Sequence, residues 1–201
     1  MERNGSYMFE APMILKETRE GITAYRIEDD MLYNRQVCLM GPVTEDSVNS
    51  LVSQLLYLER KAPGEEITMF INSGGGQVGN GLALYDVMRQ ISSPVRTICM
   101  GHACSMAAVL FAAGDKREIY SHSKVMIHDP SISGRLTSKA LELQALSEDL
   151  LATRQTIAEI LSLHTGQTIE AILEKTCIDS YFNAEEAIEF GLADAVIENS
   201  K

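Results

Sequence analysis

The sequence predicts an α/β fold built on a parallel β-sheet. Apolar runs of strand length alternate with segments of helical period, turn residues mark the joints, and the helical segments are long enough for right-handed crossovers between parallel strands. At 201 residues with 45% hydrophobic content, the chain can bury one substantial core and reads as a single domain, without internal repeats or low-complexity stretches.

The elements follow in order. A buried strand is expected at "QVCLMG" (36–41). Thr44 then caps a helix through "TEDSVNSLVSQLLYLER": acids follow the cap, and Val48, Leu51, Val52, Leu55 and Leu58 fall on one face. "EITMFIN" is the next strand, "VGNGLALYDVMRQI" the next helix, "VRTICMG" a third strand and "KVMIH" (124–128) a fourth. Between the last two, the apolar run 106–113 reads as a buried helix starting at Ser105. A long helix is expected from Thr137 to about Leu163. It holds no Gly or Pro, its apolar residues recur at Ala140, Leu143, Leu146, Leu150, Ile157 and Leu161, and Gly166 stops it. At roughly 1.5 Å per residue it spans about 40 Å, more than the body of such a domain needs, so it is expected to protrude and pack on another subunit.

Composition narrows the function. A formal charge of −11 repels nucleic acid and anionic lipid, which argues against both as partners. The longest apolar run, 106–113, is far short of the roughly 20 residues of a membrane span. The opening residues lack the three regions of a signal peptide, so a cytoplasmic location is expected. Cys38, Cys99, Cys104 and Cys177 show no CxxC spacing, which points to reduced thiols and no metal site.

"FINSGGGQVGNG" contains Gly74-x-Gly76-x-x-Gly79 between a strand and a helix, formally the dinucleotide-binding pattern. That reading needs an acid about 20 residues on, at the end of the next strand, and "TICMGHACS" has none. No cofactor is expected. Either these glycines only make a tight turn, or they uncover backbone N–H groups for a substrate along Gly75, Gly76, Gln77 and Val78. Ser105 bears on that choice. A serine at a helix start is ordinarily an N-cap. The same place offers unpaired N–H groups and the positive end of a dipole, which suit a nucleophile whose attack creates an oxyanion, held here by the Met106 and Gly76 N–H groups. Such a serine needs a base. Of four histidines, His164 sits at the end of the long helix, where a cation suits the dipole, and His102 and His122 read as solvated. His128 ends an apolar strand, where α/β active sites gather. On the residues alone, Asp129 and Asp115 are as good as any other acid for orienting it.

"INSGGG", "MGHACSMAA", "VMIH", "LHTGQ" and "AEEAIEFGLADAVI" resemble, in that order and at closely similar spacing over about 24–197, the ClpP family, the proteolytic subunit of an ATP-dependent serine protease. The resemblance implies a crotonase-like fold, Ser105 as nucleophile, His128 as general base and Asp179, shortly before the final helix, as the third member. It implies residues 1–23 as an N-terminal segment, processed or lining an axial pore, and 24–201 as one protease domain with a protruding handle at about 129–165. It also implies two stacked seven-membered rings, a hexameric unfoldase ATPase of the Clp type as partner, and peptides or unfolded chains as substrate. The chain lacks G-x-x-x-x-G-K-[ST], so ATP use is expected to belong to that partner.

Some positions depart from the family pattern. Gly74 stands where the family has proline, Ala107 where it has glycine and Asp129 where it has glutamine, the stretch between Ser105 and His128 is about two residues short, and "SISGRLTSKA" replaces a glycine-rich strand. These changes bear on substrate preference, ring alignment and basal activity. Two rival readings are a catalytically weak structural partner in mixed rings and an acyl-CoA hydratase of the related crotonase fold. The hydratase needs no serine nucleophile, so a full Ser-His-Asp set argues against it.

Overall fold

The computed structural model describes residues 13–18, 21–132 and 139–197. Its first strands, β1 (Met13–Thr18) and β2 (Gly21–Arg26), pair antiparallel in a small sheet of their own, so β2 crosses residue 23. A short helix, α1 (Ile27–Tyr33), leads into the main body.

The predicted parallel sheet is present. β3 (Gln36–Met40), β4 (Ile67–Ser73), β5 (Val95–Cys104), β6 (Lys116–Tyr120) and β9 (Ala195–Ile197) lie in that order, all parallel. Off this path, β7 (Lys124–Ile127) pairs parallel with β5, and β8 (Ser180–Phe182) pairs antiparallel with β7. Along β4 burial alternates: Ile67, Met69, Ile71 and Ser73 are buried, whereas Thr68, Phe70 and Asn72 are only partly covered. One face therefore meets the core and the other stays half open, unlike a parallel sheet covered on both faces.

Helices fill the covered side. α2 (Glu45–Lys61) starts as expected at Thr44, whose hydroxyl accepts from the Ser47 N–H, and it buries Val48, Leu51, Leu55 and Leu58. It packs on α3 (Val78–Gln90), α3 on α4 (Met106–Ala112), and α4 on α5 (Ala140–Thr165). Every residue of α4 is buried, which makes it the centre of the core. α6 (Ile169–Thr176) packs on α5 and α7 (Ala184–Phe190) on β7. No helix among the described residues is long and apolar enough to cross a membrane.

Two expectations about element ends change. The third strand does not stop at Gly101 but runs on to Cys104, because β7 pairs with its last residues on the edge that β6 leaves after Cys99. The long helix is described from Ala140, the expected start at Thr137 lying outside the described residues, as does most of "SISGRLTSKA". Its 26 residues end at Gly166, whose φ of 74° is the left-handed stop the sequence predicts. Only Ile157, Ala158 and Leu161 of this helix are buried; Leu141, Leu143 and Leu151 nearer its start are exposed.

One side chain ties the end of this helix to the sheet. Arg117 Nη1 donates to the carbonyls of His164 (2.6 Å) and Gly191 (2.7 Å), while its Nε and Nη2 hold Asp194. The cation at the helix end is thus Arg117. Burial first, then the charges of Arg89 and Arg117, push the His164 imidazole below its usual range, and its Nε2 meets the Tyr85 hydroxyl at 3.2 Å. Burial acts to raise the Asp194 carboxyl, but the Arg117 hydrogen bonds and charge outweigh it and hold it below its usual range. A depressed carboxylate stabilises the fold above its unfolded pKa of about 3.9, and that share is lost as pH falls through the lower folded value. Arg117→Met should cost about 2 kcal/mol, roughly 4–8 °C in Tm. It should also flatten the loss of Tm below about pH 4. Thermal melts of both proteins across pH check both outcomes.

Candidate active site

Three neighbouring strands bring the candidate residues together. β5 and β7 run parallel and β7 and β8 antiparallel, so the C-terminal ends of β5 and β7 and the start of β8 share one edge of the sheet. Cys104 lies opposite Met126, and Ile127 opposite Ser180. Ser105, His128 and Asp179 each sit one residue outside those pairs, and the antiparallel register places His128 and Asp179 directly across from each other.

The side chains meet. Ser105 Oγ lies 2.9 Å from His128 Nε2, and His128 Nδ1 lies 3.6 Å from Asp179 Oδ1. With its proton on Nδ1, the imidazole accepts from the serine hydroxyl and presents N–H to the carboxylate. The other two acids are occupied elsewhere. Asp129 Oδ2 accepts from Arg154 Nε at 2.6 Å, while Asp115 accepts from the Val95 N–H at 2.8 Å and pairs with Arg89 at 3.3 Å. His102 and His122 are exposed, as expected.

Ser105 is not an N-cap in the ordinary sense. Its side chain makes no capping hydrogen bond, and its backbone takes φ 56° and ψ −128°. Such a conformation costs a non-glycine residue about 1–3 kcal/mol and turns the side chain out of the strand-to-helix joint. Beside Ser105, burial pushes the Cys104 thiol up, and burial likewise takes Cys99 to about 12.

The glycine loop closes the other side. Val43 and Gly76 form a parallel bridge in which the Val43 N–H donates to the Gly75 carbonyl (2.8 Å) and the Gln77 N–H to the Val43 carbonyl (2.9 Å). That pattern points the Gly76 N–H away from Val43. Neither it nor the Met106 N–H has a partner among the described residues. At Gly75, φ 88° and close approach coincide: a Cβ there would lie 2.7 Å from Ser105 Cβ and 3.0 Å from the Met106 nitrogen. A Cβ at Gly76 would in turn run into the Val43 carbonyl oxygen. Gly74 differs, since a Cβ there meets nothing within 4 Å.

A shallow, partly open cleft adjoins Ser105 and His128, walled by Val78, Met106, Val109, Ile127, Pro130, Ile157 and Leu161. Of the expected loop residues only Val78 lines it; Gln77 is exposed, its amide oxygen accepting from Asn80. Ile157 and Leu161 read in the sequence only as the buried stripe of a helix, which carries no signal of a cleft. The described residues hold no group of three or more His, Cys, Asp or Glu arranged for a metal ion.

A family model described as Clp protease matches residues 18–200. The chain belongs to the Clp protease family. Peptidase chemistry is the activity of that family, and the mixed α/β body with its mostly parallel sheet is the ClpP fold. Within this family member, the Ala107 departure is fully buried in α4, and the Asp129 departure is an ion pair with Arg154.

The two neighbouring glycines should respond differently. Gly75→Ala forces a Cβ into the Ser105 turn and should cut peptide hydrolysis on the order of 100-fold, the scale at which an ångström of misplacement acts. Gly74→Ala should cost far less. Steady-state hydrolysis of a fluorogenic peptide by the two variants checks the contrast.

Proposed function

We propose that this chain is the proteolytic subunit of an ATP-dependent Clp protease, a serine endopeptidase that cuts peptides and unfolded chains. The observation that carries the reading is the Ser105 Oγ–His128 Nε2 contact of 2.9 Å at the mouth of an apolar cleft. His128 takes the proton as Ser105 Oγ attacks the peptide carbonyl, and Asp179 orients the imidazolium that forms without itself becoming protonated. The Gly76 and Met106 N–H groups hold the oxyanion. His128 then returns the proton to the leaving amine, and water releases the acyl group by the same path reversed. Gly75, Gly76, Gln77 and Val78 form the edge along which substrate backbone lies.

Residues 24–201 act as one protease domain that assembles into two stacked seven-membered rings. Support comes from the exposed leucines Leu141, Leu143 and Leu151 on α5, an apolar surface that a partner subunit would cover. A Clp-type ATPase unfolds substrates, since a folded domain is stable by about 5–15 kcal/mol and must open before its backbone can reach Ser105.

Ser105→Ala should abolish peptide cleavage, a loss of several kcal/mol in transition-state stabilisation, with the oligomer size on sedimentation unchanged. Wild-type turnover in the alanine variant sinks the triad. A protein that assembles but neither cleaves peptide nor takes a fluorophosphonate label on Ser105 is the structural partner instead.

Folded substrate gives a separate test. A stable fluorescent protein with a degradation tag should survive incubation with this protein and ATP, and should be lost only when a Clp-type unfoldase is added. Loss of fluorescence with ATP but no partner overturns that division of labour.

A further inference from the structure

Two carboxylates flank His128, Asp129 in sequence and Asp179 in space, and one arginine reaches both segments. Arg154, within α5, donates through Nε to Asp129 Oδ2 (2.6 Å) and through Nη2 to the Leu173 carbonyl (3.3 Å). The Asp129 N–H donates to the Thr176 carbonyl at 2.7 Å. Leu173 and Thr176 lie in the last turn of α6, whose end delivers the chain to Asp179. The strand end that carries His128 and the helix end that leads to Asp179 are therefore tied to each other, and Arg154 holds both.

Stability is a poor account of this pair. Both side chains retain 30% exposure, and Asp129 Oδ1 is buried without a partner. An oxygen dehydrated in that way offsets part of the attraction between the charges. What the tie does supply is position. At 3.6 Å, His128 Nδ1 and Asp179 Oδ1 already stand beyond ordinary hydrogen-bond range, so a small further separation uncouples them.

We propose that Arg154 is a positioning residue of the peptidase site: through Asp129 and the end of α6 it sets the distance between His128 and Asp179. The inference rests on the triad reading given under Proposed function. Arg154 does not line the cleft, so its effect on turnover passes through the base and its acid.

The test is a double-mutant cycle with a fluorogenic peptide, run with enough enzyme to quantify slow variants. Arg154→Met should lower kcat on the order of tenfold with KM unchanged. In an Asp179→Asn background the same substitution should change kcat by less than about twofold, because no carboxylate is left to misplace. Asp129→Asn removes the charge from the same tie at constant volume and should show the same dependence on Asp179, so it decides the matter should Arg154→Met not fold. Equal fold-losses in both backgrounds, an unchanged kcat, or a loss confined to KM would overturn the proposal. A crystal structure of the variant gives a readout independent of turnover: the His128–Asp179 separation should widen, and an unchanged separation refutes the inference even if the protein cleaves nothing. Wild-type protein without peptidase activity, by contrast, refutes the proposed function.

Discussion

One edge of β5 serves two strands in succession, and the site depends on that division. The first part of β5 pairs with β6 from Arg96 to Cys99, and the last part pairs with β7 from His102 to Cys104. The change of partner requires a bend, and Gly101 provides it at φ 80°, with the Asn72 side chain 2.9 Å from where a Cβ would stand. The β4–β5 register shifts at the same level, and the Ser123 hydroxyl in the β6–β7 turn accepts the Gly101 N–H at 2.8 Å. Without the bend, β7 would have no edge to join, and His128 would not end beside Ser105.

Rigidity on the other side of Ser105 comes from the connection between β3 and α2. Val43 is fully buried, and it engages the carbonyl of Gly75 and the N–H of Gln77. The Gly75 N–H is satisfied separately by the buried Ser73 hydroxyl at 3.1 Å. The Gly75 carbonyl, the Gly75 N–H and the Gln77 N–H are thus taken up by the fold, while the Gly76 N–H points away from Val43.

Much of this is legible in the sequence, and the strands that are not legible escape for local reasons. β3, β4, β5 and β7 announce themselves because apolar residues dominate them. β6, "KREIY", does not: only Ile119 is buried, and its charged residues are there to pair, Glu118 with Arg96 and Lys116, Arg117 with Asp194. The three-residue strands β8 and β9 are too short for any period. That shortness is why Asp179 came from resemblance alone. Its place opposite His128 is a register property of β8, and the partners that occupy Asp129 and Asp115 lie 25 and 26 residues away in the chain. Ser105 and His128 were legible because each is a polar residue abutting an apolar run.

α5 shows how one element carries two energetic regimes. Near its C-terminus, Ile157 and Leu161 are buried and wall the cleft beside Ser105, and Arg117 anchors its last carbonyls. Near its start, Leu141 at 79% exposure and Leu151 at 60% contribute almost nothing to the protomer's own core. Burying a leucine side chain is worth about 1.5–3 kcal/mol, so these positions would gain stability from a further apolar surface, which none of the described residues supplies. Fixing the exposed half against such a surface would hold the buried half as well, since both lie on one unbroken helix. The wall of the cleft and the leucines left uncovered among the described residues are therefore parts of one helix.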